Sequence, residues 1–92
     1  MALTITQQDN TIILEGNLNT SNISNFTTHF NLAQTPFNKL TIDLEKVSNI
    51  DQYALQTLKD MYKNAILNHN IFFIEGNRSE EIYESFQYPQ VA

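Results

Sequence analysis

Hydrophobic and polar positions change their period several times along the chain, and each change marks an element. In Leu40-Thr41-Ile42-Asp43-Leu44-Glu45 the two classes alternate, which puts Leu40, Ile42 and Leu44 on one face of a strand and Thr41, Asp43 and Glu45 on the other. From Asp51 the period lengthens. Ala54, Leu58, Met61 and Ala65 fall on one helical stripe with Leu55, Tyr62 and Ile66 beside it, while Gln56, Lys59, Asp60 and Lys63 point away. Asn68-His69-Asn70 breaks that helix, and Ile71-Phe72-Phe73-Ile74 is short, apolar and aromatic enough for a strand that Gly76 closes. Residues 39–76 thus read as strand, loop, helix and strand, a unit whose default connection is parallel and right-handed.

The flanks follow the same rules. Leu3-Thr4-Ile5-Thr6-Gln7 alternates, Gln8-Asp9-Asn10 supplies turn residues, and Thr11-Ile12-Ile13-Leu14-Glu15 returns, so the chain starts with a hairpin whose first strand is an edge. Gly16-Asn17-Leu18-Asn19 is expected to leave the sheet, and Thr20 or Ser21 to cap a helix with Ile23, Phe26 and Phe30 on its apolar face. That segment is rich in Asn, Ser and Thr, which compete for backbone hydrogen bonds, so its helix is expected to lean on packing. Pro36 marks its end. After Gly76 a last helix is expected, capped by Asn77 or Ser79, with Glu80 and Glu81 at the positive end of its dipole and Ile82 and Phe86 facing inward. Tyr88-Pro89 stops it, and 87–92 reads as a loose tail.

Alternation in the strands decides the layering. A sheet covered on both faces has nearly continuous apolar strands, whereas Thr4, Thr6, Thr11, Thr41, Asp43 and Glu45 give this one a polar face. The expected architecture is therefore α/β: a small mixed sheet of about four strands, an N-terminal hairpin followed by parallel crossovers, with the helices mainly on one face. A ferredoxin-like split arrangement places two strands between its helices, and only one is found here.

Composition narrows the function. At 92 residues, one domain spanning 1–92 is expected. The formal charge is −5, and Lys39, Lys46, Lys59, Lys63 and Arg78 are scattered, which argues against nucleic-acid binding. There is no cysteine, hence no disulfide framework and no thiolate chemistry. No apolar run approaches the ~20 residues of a membrane span, and no basic segment leads into one, so a soluble cytoplasmic protein without membrane insertion is the simplest expectation.

Over nearly its whole length this pattern resembles the STAS domain, the family named for sulfate transporters and anti-sigma factor antagonists. The most specific stretch is Leu40-Thr41-Ile42-Asp43-Leu44-Glu45-Lys46-Val47-Ser48-Asn49-Ile50-Asp51 followed by Leu55 and Leu58. It is similar to the family's run of hydrophobic residues, Asp-Leu-x-x-Val-x-x-Ile/Met-Asp-Ser-Ser-Gly-Leu. Two departures bear on function. Gln52-Tyr53-Ala54 stands where the family has Ser-Ser-Gly, so Tyr53 takes the place of the phosphorylated serine, and Gly16-Asn17-Leu18-Asn19 replaces Gly-Glu-Leu-Asp. Both argue against a serine phospho-switch.

The resemblance implies a bacterial regulator of transcription that binds an anti-sigma factor of kinase type through 48–58, with Ser48, Asn49, Asp51, Gln52, Tyr53 and Gln56 as the partner-binding residues. Each has a plainer reading. Asp51 just before a helix is placed to cap it, a role compatible with shaping a partner surface. Tyr53 is a candidate modification site, where a phosphate adds roughly −1.5 to −2 charges. An aromatic interface anchor with a polar tip is the preferred reading. Ser48 suits a turn.

His29 and His69 have no ligand-spaced companions, so no metal is expected. Glu80, Glu81, Glu84 and Asp60 read as solvated helix charge. With Gly16 and Gly76 the only glycines there is no phosphate loop, no local signature suggests a Ser/His/Asp arrangement, and neither an enzyme nor a cofactor is expected. Two other functions remain open: an accessory subunit of a lipid-transport ATPase complex, which the resemblance also allows, and a small-ligand domain using the Thr41, Asp43 and Glu45 face.

Overall fold

A computed structural model of the chain describes residues 3–34, 39–68, 71–76, 79, 80, 82 and 84. Strands β1 (Leu3–Gln8) and β2 (Thr11–Leu18) form the expected hairpin, turning at Asp9, whose φ of 54° is one that aspartate tolerates better than most residues. Then follow helix α1 (Ile23–Gln34), strand β3 (Lys39–Ile50), helix α2 (Gln52–Leu67) and strand β4 (Ile71–Glu75). The sheet order is β1-β2-β3-β4, with β1 antiparallel to β2 and the other two pairings parallel. One strand lies between the two helices, as the STAS-like reading requires and a ferredoxin-like one does not.

Both crossovers step in the same direction across the sheet, so right-handed connections put both helices on one face. Ile12, Leu14, Leu18, Leu40, Ile42, Leu44, Phe72 and Ile74 of the sheet share one core with Ile23, Phe26 and Phe30 of α1 and Ala54, Leu58 and Ala65 of α2. Each side chain of Leu, Ile or Phe so enclosed contributes ~1.5–3 kcal/mol relative to exposure. Two edge-to-face contacts knit the layers together: Phe30 to Phe72 with ring centroids 5.2 Å apart, and Tyr62 to Phe72 at 5.4 Å. The opposite face carries Thr4, Thr6, Glu15 and Glu75 to solvent.

Helix α1 carries no charge at either end and depends on its packed face, as its composition predicts. Thr27 and Thr28 turn their hydroxyls back onto the carbonyls of Ile23 and Ser24, at 2.9 and 3.0 Å, which removes them as competitors for other backbone groups. Ser79, Glu80, Ile82 and Glu84 are helical, and Ile82 joins the core. The expectations for Pro36, His69, Asn77, Phe86, Tyr88-Pro89 and the 87–92 tail lie outside the described residues.

Two boundaries differ from the sequence reading. Gly16-Asn17-Leu18 does not leave the sheet: β2 continues through it, with Gly16 buried opposite Leu3 and Val47 at a φ of 111° that favours glycine. The stretch 46–50 is not a loop either, because β3 runs on to Ile50. What hid it is a double change of phase. Between Ile13/Glu15 and Asp43/Lys46, and again between Gly16/Asn17 and Val47/Asn49, β3 spends one residue more than β2. These are β-bulges, rare in parallel pairs. Buried positions consequently step from Leu44 to Val47 and on to half-buried Ile50 by threes instead of twos. At the first bulge the Asp43 carboxylate accepts the Glu45 N–H at 2.9 Å. Gly76 presses there as well: a Cβ on it would lie 2.5 Å from the Glu45 nitrogen.

Candidate functional site

The bulged end of β3 delivers Asp51 to the start of α2. Its backbone is extended, its Oδ1 accepts the Ala54 N–H at 2.8 Å, and its own N–H donates to the Leu18 carbonyl at 3.2 Å. The cap read from the sequence is therefore present. The second carboxylate oxygen does something else. Oδ2 accepts both the N–H and the hydroxyl of Thr20, at 2.9 and 2.8 Å, and so ties the β2–α1 turn to the first turn of α2.

Thr20 consequently does not cap α1, and the expectation that it or Ser21 would is corrected. The turn is organised by asparagines. The Asn19 carbonyl accepts from the N–H groups of Asn22 and Ile23. Asn22 accepts the Asn19 N–H and donates to the Asn17 carbonyl, and the Asn19 side chain accepts the Ser21 N–H. Short amide side chains satisfy a turn locally in this way because they mimic a peptide group.

With these donors around it the Asp51 carboxyl is held below the ordinary carboxylate range. The Ala54 N–H contributes most and the Thr20 N–H next; partial desolvation opposes them, and the Thr20 hydroxyl adds a smaller lowering. The carboxylate is thus ionised at neutral pH and committed within the chain, its charge answered by three donors and by the positive end of the α2 dipole.

Around this anchor the expected binding residues come together. Gln52, Tyr53 and Gln56 are exposed on the first turns of α2, and Ser48 and Asn49 are exposed at the end of β3, Ser48 as the extra residue of the second bulge. They therefore sit on a strand end and a helix start, not on a loop. Tyr53 is 59% exposed. Gln56 donates to Asp60 at 3.1 Å, and Asn49 lies 3.5 Å from the Asn17 side chain. Thr20 and the Asn17, Asn19 and Asn22 cluster are the members that the sequence reading missed. Their signal was the density of Asn and Thr between a strand and a helix, where such side chains hold turns.

The remaining candidates separate from this surface. His29 Nε2 meets Gln7 Oε1 at 2.9 Å, and since the Gln7 amide nitrogen donates to the Asp9 carbonyl, the imidazole is the donor. Among the described residues no three His, Asp or Glu side chains gather to hold a metal, and no helix is long and apolar enough to cross a membrane. A cleft of about 280 Å³ lies between the later turns of α1 and α2, lined by Thr27, Phe30, Asn31, Met61, Asn64, Ala65 and Asn68. It is not on the polar sheet face of Thr41, Asp43 and Glu45, where a ligand was considered.

Comparisons with known proteins agree with this architecture. No curated protein matches the chain. Among solved structures it is similar to the anti-sigma factor antagonist SpoIIAA in its unphosphorylated form, with a TM-score of 0.66 and 10% identity over 90% of this chain and 82% of that one. It is also similar to an uncharacterized protein from Shewanella loihica with a SpoIIAA-like fold, with a TM-score of 0.57 and 13% identity over 90% of this chain and 71% of the other. At such identities the likeness speaks for the fold. The family itself is given by the sequence profile of the STAS domain, which matches residues 2–87 and so takes in both the hairpin and the Asp51 junction. The chain belongs to the STAS domain family.

Proposed function

We propose that this STAS domain is a non-enzymatic regulatory module of the anti-sigma factor antagonist type. It acts in the bacterial cytoplasm, in the regulation of transcription, and it binds a partner protein through the surface of Ser48, Asn49, Asp51, Gln52, Tyr53 and Gln56. The observation that carries this reading is the division of labour at the α2 start. Asp51 spends its carboxylate on fixing two chain segments, and the exposed Tyr53 next to it is left to project from a fixed base. A rigid aromatic with a polar tip, framed by amides and hydroxyls, has the make-up of an interface anchor. Binding here needs no serine switch, and Tyr53 serves as anchor first.

A second reading uses the same surface against an ATPase. Gln52-Tyr53-Ala54 in place of a phosphorylatable triplet favours it, since an accessory subunit of a lipid-transport complex has no need of the switch.

An affinity pull-down from the source organism, comparing the wild-type chain with Tyr53→Glu and Gln56→Ala and read by mass spectrometry, tests both. Recovery of an anti-sigma factor, lost with Tyr53→Glu, is the expected result. Recovery of a transporter ATPase selects the second reading, and partners that bind both variants undiminished overturn the site.

A further inference from the structure

The sheet has β1 and β4 at its edges, and the two are not alike. Natural edge strands commonly carry a charge, a proline or a bulge that keeps other strands away. β4 has Glu75. β1, Leu-Thr-Ile-Thr-Gln-Gln, has none of these, and it pairs with β2 from Leu3 to Gln8 without a change of register. Its outward groups can be named. The hairpin turns through Asp9-Asn10, so the closing pair Gln8–Thr11 exchanges hydrogen bonds and the pairs alternate from there. Thr4, Thr6 and Gln8 therefore bond to β2, while the N–H and C=O of Leu3, Ile5 and Gln7 point away from it.

The core also comes to the surface along this edge. Leu14 is fully buried, whereas Ile5, its partner on β1, and Leu3 are only half-buried. His29 reaches Gln7 at 2.9 Å, so this flank of α1 lies over β1, and Leu32, about one turn on, is 71% exposed.

We propose that two copies of this chain pair antiparallel through β1, so that their sheets become one. Such an edge takes an extended strand, and three features make that strand β1 of a second copy. With Ile5 on the two-fold axis, its outward groups meet those of Ile5 of the partner copy, and Leu3 meets Gln7 at both ends. Every outward group named above then has a partner. The same register sets Thr4 opposite Thr6, a favourable cross-strand pair, and it brings no charges face to face in a chain of net charge −5. The axis stands perpendicular to the sheet and keeps both helix layers on one side, so the half-buried Ile5 side chains cover each other and join the two cores. β4 of a second copy would meet β1 only head to tail, in an arrangement that leaves an edge open at each end. One short strand buries little surface, which sets a weak, reversible dimer. The pairing does not rest on the partner reading above and uses none of its residues.

Sedimentation equilibrium of the purified chain from about 10 μM to about 1 mM should show a monomer–dimer equilibrium. Hydrogen exchange by NMR over the same range locates it: the Ile5 amide is expected to slow about threefold or more, while those of Thr4 and Thr6, already bonded to β2, change less. Thr4 and Thr6 are exposed and carry the decisive variants. Thr4→Lys with Thr6→Lys sets like charges directly opposite, on Cα atoms about 4.5 Å apart, and should weaken the dimer about tenfold or more. Thr4→Lys with Thr6→Glu differs only at the second position, turns both contacts into ion pairs and should restore the dimer. Circular dichroism should show both variants folded as the wild type. A chain monomeric throughout, growth beyond the dimer, an Ile5 amide indifferent to concentration, or two double variants of equal affinity overturns the proposal. None of these outcomes bears on the pull-down, so the two readings fail separately.

Discussion

Asp51 shows how much one short side chain can organise when both of its oxygens have work. Oδ1 caps α2 through Ala54 and Oδ2 holds Thr20, and the same bonds depress its titration. An unfolded aspartate titrates near ~3.9, and the folded group titrates lower. Its contribution to stability is therefore complete above that pH and fades as pH falls through the folded value. Asp51→Asn keeps an acceptor for the cap but turns an N–H₂ toward Thr20. The variant is expected to melt below the wild type at neutral pH, with the gap closing as melts are repeated from about pH 4 downward. Gly76 is the other residue that tolerates no replacement. It combines a φ of 113° with backbone of Leu44 and Glu45 under 3 Å from where a Cβ would stand. Gly76→Ala is expected to cost at least about 2 kcal/mol in urea denaturation, because neither a main-chain neighbour nor the left-handed φ can give way cheaply.

At the scale of elements, the sequence was most legible where one period ran undisturbed. The strand around Leu40–Ile42–Leu44, the stripe of α2 and the hairpin all follow simple spacing, and the Asp51 cap follows from a carboxylate ahead of that stripe. Legibility failed at the far end of β3, where two bulges change the phase. Lys46 and Ser48 look like loop residues when a strand is expected to alternate, although Val47 and Ile50 still reach the core. Thr20 was misplaced for a related reason. Its bond to Asp51 spans 31 positions of chain, and no local rule reports it. Parity gives a test of the bulges. The first shifts the inward set from even to odd numbers and the second shifts it back through the extra residue Ser48, so deleting Ser48 should leave Val47 and Ile50 both inward by plain alternation and keep Asp51 on Thr20. A stability change within about 1 kcal/mol is expected in chemical denaturation, with hydrogen exchange at the Thr20 amide unchanged.

For the whole molecule, the same face of the sheet receives both α1 and α2, and its chemistry is segregated by region. The core is closed by aliphatic and aromatic side chains with no polar or charged side chain among its described members. The open sheet face carries threonines and acids, and α1 with the start of α2 carries neutral hydrogen-bonding groups. Function is therefore sought at the end of the sheet where Asp51 joins two segments, rather than in the cleft between the helices' later turns.

The sheet order has one more consequence. Because it repeats the order of the sequence, every strand after the first is laid against the strand made just before it, and none waits to be slotted between two others. During synthesis from the N-terminus the hairpin can form first, β3 can dock on it with α1 across the joint, and β4 can close the edge last. The hairpin closes a short loop, whereas each parallel pairing joins residues about 30 apart, so β3 and β4 are expected to dock more slowly than the hairpin forms. A nascent domain built this way can tie Asp51 to Thr20 while β4 is still inside the ribosome.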